Sequence, residues 1–476
     1  MRIGKKILDH VQPVLLFKDS GTKRKGRTST SYWKILKLAV PVGLEGVFQT
    51  SFSLIDQIIV GRLGAEAVAG VGLSNSFSFI VLLIYSAIGT GTGVLIAQAF
   101  GRKIMEEVSA TAAAGHVAAA LLGISTATPV ALFPEAILRW MGAQGDVASQ
   151  AAGYFQLFAA SAPLIVISAV TTGTFRSLND TRTPMIITIG AVAFNTLLGF
   201  FLVLGIAPFP KLGVVGAGAA TLVAQAIRCL VLLTTLYRKQ RGMKWRWPWQ
   251  YSQIKGIFGQ LFQTTCPLAL SEMLWGISAF LYTILFTHLG TTALAGSQIV
   301  MVIENLFIVA ASGLAPAAVA SIGQAVGAGS ISSAKMHARI VLRLAIFAGL
   351  LFSVALVGAS FLLPVLYPDV GNEVLRVSFW GLLIAASVQP AKVLNSVFGN
   401  GILPSGRDTK FVLKAHLIAS YLAGLPAAAL FCMSLGLGAW GIFSSRASEE
   451  IIKAIVFFLR FRDSVRYKRL FGTCER

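Results

Sequence analysis

One stretch of this chain occurs twice. Residues 33–101 match residues 259–327 without a gap when the numbering is shifted by 226. The matched pairs include Pro41 and Pro267, Leu63-Gly64 and Leu289-Gly290, Gln98 and Gln324, and Gly101 and Gly327. Because an internal repeat defines the building unit of a fold, we expect two structurally equivalent halves.

Apolar runs long enough to cross a bilayer recur along the whole chain. Only 12% of the 476 residues are charged, whereas a soluble domain carries about 25%. We therefore predict an all-α integral membrane protein with twelve transmembrane helices in two pseudo-symmetric six-helix bundles. The predicted spans are 36–60, 68–97, 108–133, 152–175, 184–206, 213–237, 258–286, 293–322, 338–363, 374–401, 411–433 and 436–459. The shift of 226 covers six spans, so both copies cross the membrane in the same direction.

The net charge of +21 is concentrated on one side of the predicted membrane. Of the 40 Lys and Arg residues, 31 lie in the two terminal segments, the central connector and alternate loops. The opposite side holds four: Arg62, Arg139, Lys211 and Arg376. This asymmetry follows the positive-inside rule and predicts a multi-pass protein of the cell membrane with both termini in the cytoplasm. The charge is assigned to topology and to anionic lipid, not to nucleic-acid binding.

The predicted domains follow from the repeat and the charge runs. They are a mostly disordered basic cytoplasmic tail (1–32), a first bundle (33–238), a cytoplasmic connector (239–256), a second bundle (257–460) and a cytoplasmic tail (461–476). In the connector, Trp245, Trp247 and Trp249 alternate with basic residues, which favours a position along the membrane surface. The four cysteines are scattered without disulfide or metal spacing, so no cofactor is expected.

Three motifs carry a resemblance to a known family. The first joins Pro41-Val-Gly-Leu-Glu45 to Ile55-Asp56-Gln57. The second is Asp180-Thr181 after the fourth span, which returns as Asp408-Thr409. The third is Gln324 with Gly327-Ala-Gly329. Together, and at this spacing, the motifs resemble the multidrug and toxic compound extrusion (MATE) family over residues 33–460.

The resemblance implies two bundles arranged as a V and an alternating-access antiporter. Such a transporter exports amphipathic, usually cationic, organic compounds in exchange for H⁺ or Na⁺. Internal duplication by itself is typical of transporters that rock one half against the other. The expected partners are membrane lipid and a small-molecule substrate, and the duplicated chain is expected to work as a monomer.

The resemblance also assigns ion coupling to four residues: Asp56, Asn195, Thr221 and Glu272. The chain departs from the family pattern at Gly199, where many members have a second acid, and at Pro404, where an arginine is common. Because a hard cation needs several oxygen ligands, the missing acid favours H⁺ over Na⁺ as the coupling ion.

Buried acids and amides are the candidates for binding substrate. A carboxylate near the bilayer centre costs about 3 kcal/mol and is a functional candidate by default. Burial disfavours its charged form, so it can carry a proton. The residues predicted to bind substrate are Glu45, Gln49, Gln57 and Glu304. For Asp56 the alternative is an interfacial position, and for the polar residues it is simple contact between helices.

Two groups of charges in the second half favour internal pairing. Glu304 and Lys392 both fall within predicted spans and are candidates for a structural ion pair. In the last span, Arg446/Glu450 and Glu449/Lys453 stand four residues apart and share a helix face.

Three other functions fit parts of the sequence. A lipid-linked precursor flippase would need a cationic central cavity, whereas the central helices hold at least as many acids as bases. A membrane-embedded enzyme would need a Ser/His or His/Asp constellation, and none shares a helix face, so the chain is not expected to be an enzyme. A structural membrane protein would have no need for buried acids.

Overall fold

The chain folds into long helices. A computed structural model describes residues 25–143, 147–239 and 251–467. Within these ranges there is no β-strand. The helices are α1 (Lys25–Gly61), α2 (Ala65–Gly101), α3 (Met105–Leu132), α4 (Pro134–Trp140), α5 (Val147–Ser177), α6 (Arg182–Leu204), α7 (Gly213–Lys239), α8 (Tyr251–His288), α9 (Thr291–Ala311), α10 (Leu314–Gly327), α11 (Ile331–Leu366), α12 (Asn372–Val397), α13 (Leu403–Ser405), α14 (Thr409–His416), α15 (Leu425–Ala429) and α16 (Gly438–Tyr467).

Eleven of the predicted spans are long and apolar enough to cross a membrane in the described part of the chain. The predicted span 293–322 is formed by α9 and α10 together, and the spans near residues 400 and 420 contain π-helical segments, Phe398–Ile402, Leu417–Gly424 and Leu430–Ser434. The twelfth span is the 30-residue helix α16, whose central charges lower its hydropathy. The predicted all-α, twelve-helix fold is confirmed.

The helices extend beyond the predicted spans at most ends. Helix α1 has 37 residues, whereas about 20 suffice to cross the hydrocarbon core. It begins at Lys25, inside the segment predicted as a disordered tail. No proline precedes Pro41 in this helix, so nothing stops the helix from continuing beyond the apolar run. The connector tryptophans lie outside the described residues.

Each half packs mainly within itself. In the first half α5 packs against α2, α3 and α7, and α6 packs against α1 and α7. In the second half α12 packs against α9, α11 and α16, and α14 packs against α8. Contacts between the halves involve α2 with α8 and α10, and α1 with α9 and α10. Helices α1 and α2 of the first bundle and α8, α9 and α10 of the second therefore form the boundary between the bundles.

Backbone geometry repeats along with the sequence. Gly64 and Gly290, which are 226 positions apart, directly precede α2 and α9 and have φ of 106° and 98°. Lys103 and Gly329, also related by 226, have φ of 64° and 67°. Residues other than glycine seldom adopt such angles, so the turns after and before the inner helices are conserved structural features of the repeat.

Reciprocal hydrogen bonds join the two halves at one end of the molecule. Gln98 of α2 donates its Nε2–H to the carbonyl oxygen of Ser405 at 2.9 Å. Gln324 of α10, the repeat mate of Gln98, donates its Nε2–H to the carbonyl oxygen of Ser177 at 2.8 Å. We call these four residues the clasp. All four clasp residues are buried or nearly so, so each bond is shielded from competing water.

Two further residues hold the clasp glutamines in place. Arg407 donates its Nε–H to Oε1 of Gln98 at 2.8 Å, and Asn179 donates its Nδ2–H to Oε1 of Gln324 at 3.2 Å. Arg407 and Asn179 both have left-handed backbones, with φ of 60° and 66°. Since every one of these bonds runs from one half to the other, the clasp closes this end of the boundary between the bundles.

Candidate functional site

A cavity of about 500 Å³ lies between the two bundles. Helices of both halves line it, and the clasp residue Ser177 belongs to its wall. The charged and amide side chains in the wall are Glu45, Gln49, Arg176, Arg228, Glu272 and Asn400. Charged groups of both signs, in a cavity between two bundles within the membrane, are typical of the substrate site of a transporter.

The first-bundle wall of the central cavity holds an ion pair. Arg176 donates its Nη2–H to Oε2 of Glu45 at 2.8 Å, and Glu45 is only 3% exposed. Arg176 is one of the 31 basic residues that the charge count assigns to one side of the membrane, in the loop after the fourth predicted span. The structure places it in the last turn of α5 instead, where it faces inward because its helix continues past the apolar run.

A second arginine, Arg228 of α7, lies on the same wall. In the described part of the chain it forms a long hydrogen bond, from Nη1 to Oε1 of Gln225 at 3.5 Å. Its Nε is buried without a hydrogen-bond partner among the described residues. Sequence analysis did not single out Arg228, although an arginine in the middle of an apolar span is itself a functional signal.

Glu272 of α8 lies on the second-bundle wall of the same cavity. Its carboxylate lies next to the side-chain amide of Asn400, which belongs to the π-helical segment Phe398–Ile402. Such segments occur often at functional sites because they turn a side chain toward a new direction. Glu272, predicted to couple ions together with Asp56, therefore lies in a different cavity from Asp56.

Asp56 lines a second, smaller cavity inside the first bundle, of about 110 Å³. Asn195 donates its Nδ2–H to Oδ2 of Asp56 at 2.9 Å, and Thr196 donates its Oγ1–H to Oδ1 at 2.6 Å. Both donors belong to α6. Each carboxylate oxygen is thus held by one neutral donor, with no cation bonded to it in the described part of the chain.

Other predicted residues also line this second cavity. Thr221 and Gln57 belong to its wall, but the Thr221 hydroxyl donates to the carbonyl oxygen of Ala217 at 3.0 Å. Gln57, predicted to bind substrate, therefore lies in the same cavity as residues predicted to couple ions. Gly199 is in the wall as well, so the departure from the family pattern falls within this site.

Sequence analysis missed polar residues that bond to Asp56 or lie in the wall of its cavity. Thr196 follows Asn195 directly and was not considered. Tyr154 of α5 donates its hydroxyl to Oδ1 of Asn75 of α2 at 3.1 Å, and both residues line the cavity. Isolated polar residues in long apolar helices were the available signal.

Glu304 of α9 lies apart from the central cavity. Lys392 of α12 donates its Nζ–H to Oε1 of Glu304, and both side chains are nearly buried, with 11% and 5% exposure for Lys392 and Glu304. The ion pair considered from the sequence is therefore present. A carboxylate already bound by a buried ammonium favours a structural role over the predicted contact with substrate.

Removing one partner of this pair is expected to destabilise the protein. In Glu304→Gln the buried Lys392 ammonium loses its counter-ion, which costs about 3–5 kcal/mol. The double variant Glu304→Leu/Lys392→Met removes both charges, and we expect it to recover most of the loss. Thermal unfolding in detergent of the single and double variants measures this coupling. Additive effects of the two substitutions would contradict a direct interaction.

The charges of α16 form a buried network. Lys453 donates to Oε1 of Glu449 at 3.2 Å and to Oε1 of Glu450 at 3.4 Å. Glu449 also accepts the Tyr282 hydroxyl at 2.8 Å. Arg446, which the sequence pairs with Glu450, lies over the Tyr282 ring instead, 5.7 Å from its centroid. Most of this charge is neutralised internally, as predicted.

Comparisons with known proteins agree with this arrangement. The MatE family model matches residues 41–201 and 267–430. A probable multidrug resistance protein NorM of Thermotoga maritima is 26% identical over 450 residues, covering 93% of this chain and 95% of that protein. An FAD transporter of Shewanella oneidensis is 28% identical over 307 residues, covering 63% of this chain and 66% of that protein. A crystal structure of a mutant of the Vibrio cholerae MATE transporter VcmN superimposes with a TM-score of 0.87 at 20% identity, covering 94% of this chain and 100% of that one.

Proposed function

Since the chain belongs to the MatE family of membrane transporters, we propose that it is a secondary active antiporter of the cell membrane. It exports amphipathic organic compounds through the central cavity in exchange for H⁺, and the two bundles move against each other. The clasp faces the cytoplasm in this proposal, in keeping with the basic residues in the loops at its end.

The Asp56 site carries the proposal. A carboxylate inside a membrane bundle, held only by neutral donors, is suited to bind and release a cation. Its two hydrogen bonds come from α6, at 2.9 and 2.6 Å. Gain or loss of charge on Asp56 therefore changes the contact between α1 and α6 directly. Because α1 also packs against α9 and α10 of the other bundle, the change can reach the boundary between the halves.

The partners of Asp56 favour H⁺ as the coupling ion. An amide and a hydroxyl can each donate or accept, so both can adapt when the carboxylate becomes a carboxylic acid. Oδ1 of Asn195 is buried without a hydrogen-bond partner among the described residues. After rotation of the amide, this oxygen can accept the proton of neutral Asp56. A Na⁺ ion would need more oxygens, and Gly199 supplies no side chain.

The relatives' names cover drug resistance and FAD transport. Family membership therefore does not define the substrate class, which we infer from the side chains that line the central cavity. A lipid-linked precursor flippase, the second candidate, calls for a mainly cationic cavity. This cavity has two acids, Glu45 and Glu272, and two arginines in its wall, which favours export of smaller compounds.

Ion replacement tests the proposed coupling. In inverted vesicles from pump-deficient cells, we expect ethidium uptake to follow an imposed pH gradient and to persist when choline replaces Na⁺. A protonophore should abolish this uptake, because it removes the driving force. Vesicles without the protein set the background. Uptake that requires Na⁺ and survives the protonophore would contradict H⁺ coupling.

A further inference from the structure

We propose that Arg228 selects substrates that carry an anionic group, a carboxylate or a phosphate, on an amphipathic body. The inference rests on the proposed export function and adds the substrate class for the same cavity. It departs from the expectation of purely cationic substrates.

The first-bundle wall has more positive than negative charge. Glu45 and Arg176 neutralise each other through their 2.8 Å hydrogen bond. Arg228 lines the same cavity. It forms no ion pair within contact distance in the described part of the chain, but it lies near enough to Glu45 and to Arg176 to interact with both electrostatically. Its only hydrogen bond there is the 3.5 Å contact with the neutral Gln225. Two guanidinium groups therefore share one carboxylate on this wall, which leaves one positive charge in excess.

The second bundle provides an internal comparison. Helices α7 and α16 both begin at a glycine with positive φ, Gly213 at 57° and Gly438 at 56°. Counting 15 residues from each glycine leads to Arg228 in one helix and to Lys453 in the other. The two cations therefore occupy equivalent positions in the repeat.

Their surroundings differ in charge. Lys453 has Glu449 four residues before it and Glu450 three residues before it, at 3.2 and 3.4 Å. The equivalent positions before Arg228 hold Ala224 and Gln225. The second bundle thus neutralises its buried cation within the helix, whereas the first bundle does not.

The guanidinium groups on this wall have unused donors. Nε of Arg228 and Nε of Arg176 are both buried without a hydrogen-bond partner among the described residues. A buried charge without a partner is unfavourable. We therefore expect a ligand to supply the missing hydrogen-bond acceptors of these arginines. Guanidinium forms paired, charge-assisted hydrogen bonds with carboxylate and phosphate groups. An acidic group on the substrate therefore suits this wall.

The opposite wall suits a second charge on the same substrate. Glu272 faces the cavity from the second bundle. The charged group that acts on it among the described residues, Lys453, is held by Glu449 and Glu450. A compound with both an acidic and a cationic group can contact Arg228 and Glu272 together. The cavity therefore suits amphoteric compounds better than simple cations.

A matched dye pair tests the inference. Tetramethylrhodamine is a zwitterion with a free carboxylate, and its methyl ester is the corresponding cation. Fluorescence anisotropy with the purified full-length protein in detergent gives the affinity for each dye. We expect the wild type to prefer the free acid, and Arg228→Gln to reduce this preference about tenfold, the effect of losing one charge-assisted bond. Arg228→Lys should restore part of the preference, and Arg343→Gln, an exposed arginine of α11, should leave it unchanged.

Each outcome has a distinct meaning. The inference is overturned if the wild type has no preference for the free acid, if Arg228→Gln keeps the preference, or if both affinities fall equally in that variant. Coupled export of the ester without preference for the acid would overturn only the inference. Failure of the wild type to bind or export either dye would overturn the export function, and the inference with it.

Discussion

In the Asp56→Asn variant, proton-driven dye efflux is expected to fall to the level of cells without the protein. The amide has nearly the same shape as the carboxylate but cannot carry a proton. It also cannot accept from both Asn195 and Thr196, which now bond to its two oxygens at 2.9 and 2.6 Å. Ethidium efflux from pump-deficient cells at equal expression measures this loss.

Asp463→Asn is the matched control for this substitution. It makes the same chemical change on an exposed side chain near the end of α16, which is 58% accessible. The nearest distance in its ion pair, from Oδ1 to Nε of Arg462, is 3.8 Å. We expect efflux at the wild-type level from this variant. Full efflux from Asp56→Asn, or an equal loss from both variants, would contradict a coupling role for Asp56.

A methyl group at the clasp is expected to have the second large effect. A Cβ on Gly327 would lie 2.0 Å from the carbonyl oxygen of Gln98, and a Cβ on Gly101 would lie 2.1 Å from that of Gln324. Both neighbours are backbone atoms, so relief requires the helices α2 and α10 to separate. We expect Gly327→Ala to destabilise the closed clasp by about 1–3 kcal/mol or more. Transport should also fall, because the conformation with the clasp closed is a required state of the transport cycle.

Gly190→Ala is the control for the clasp variants. Gly190 is in the interior of α6, and a Cβ there would have no heavy atom within 4 Å. In that open position alanine favours the helix by about 1 kcal/mol over glycine. Thermal unfolding and dye efflux of Gly101→Ala, Gly327→Ala and Gly190→Ala separate the two cases. Equal behaviour of all three variants would contradict the claim that Gly101 and Gly327 are needed for the close approach of α2 and α10.

The repeat and the apolar runs were enough to predict the fold. Both features depend on periodicity and on transfer free energy, which are properties of the sequence itself. The end residues were less predictable, because helices continue past the hydrocarbon core. Lys25 begins α1 well before the apolar run does.

The candidate site was only partly predictable. The family resemblance grouped Asp56 with Asn195, and the structure shows their hydrogen bond. Contacts between residues far apart in the chain, such as Arg176 with Glu45 or Tyr154 with Asn75, depend on how each helix is rotated about its axis. The rotation of a helix about its axis is set by packing, and a sequence that is apolar on all sides does not indicate which face points inward.

Some charges were misinterpreted for a related reason. An arginine near a helix end can serve as a topology signal or face a cavity, and Arg176 was assigned to the first class. Arg228 falls within the predicted span 213–237 and was not singled out. The equivalence of Arg228 with Lys453 required the positive-φ glycines that begin α7 and α16, because the sequence similarity of these two helices is low.

Countertransport in proteoliposomes tests the central claim most directly. The purified protein is reconstituted in vesicles that contain a pH indicator and no Na⁺, and an ethidium gradient is imposed. The account predicts that ethidium movement drives protons in the opposite direction in the wild type, and that Asp56→Asn shows no such proton movement. Ethidium movement without a pH change in the wild type, or the same pH change in Asp56→Asn, would contradict proton antiport through Asp56.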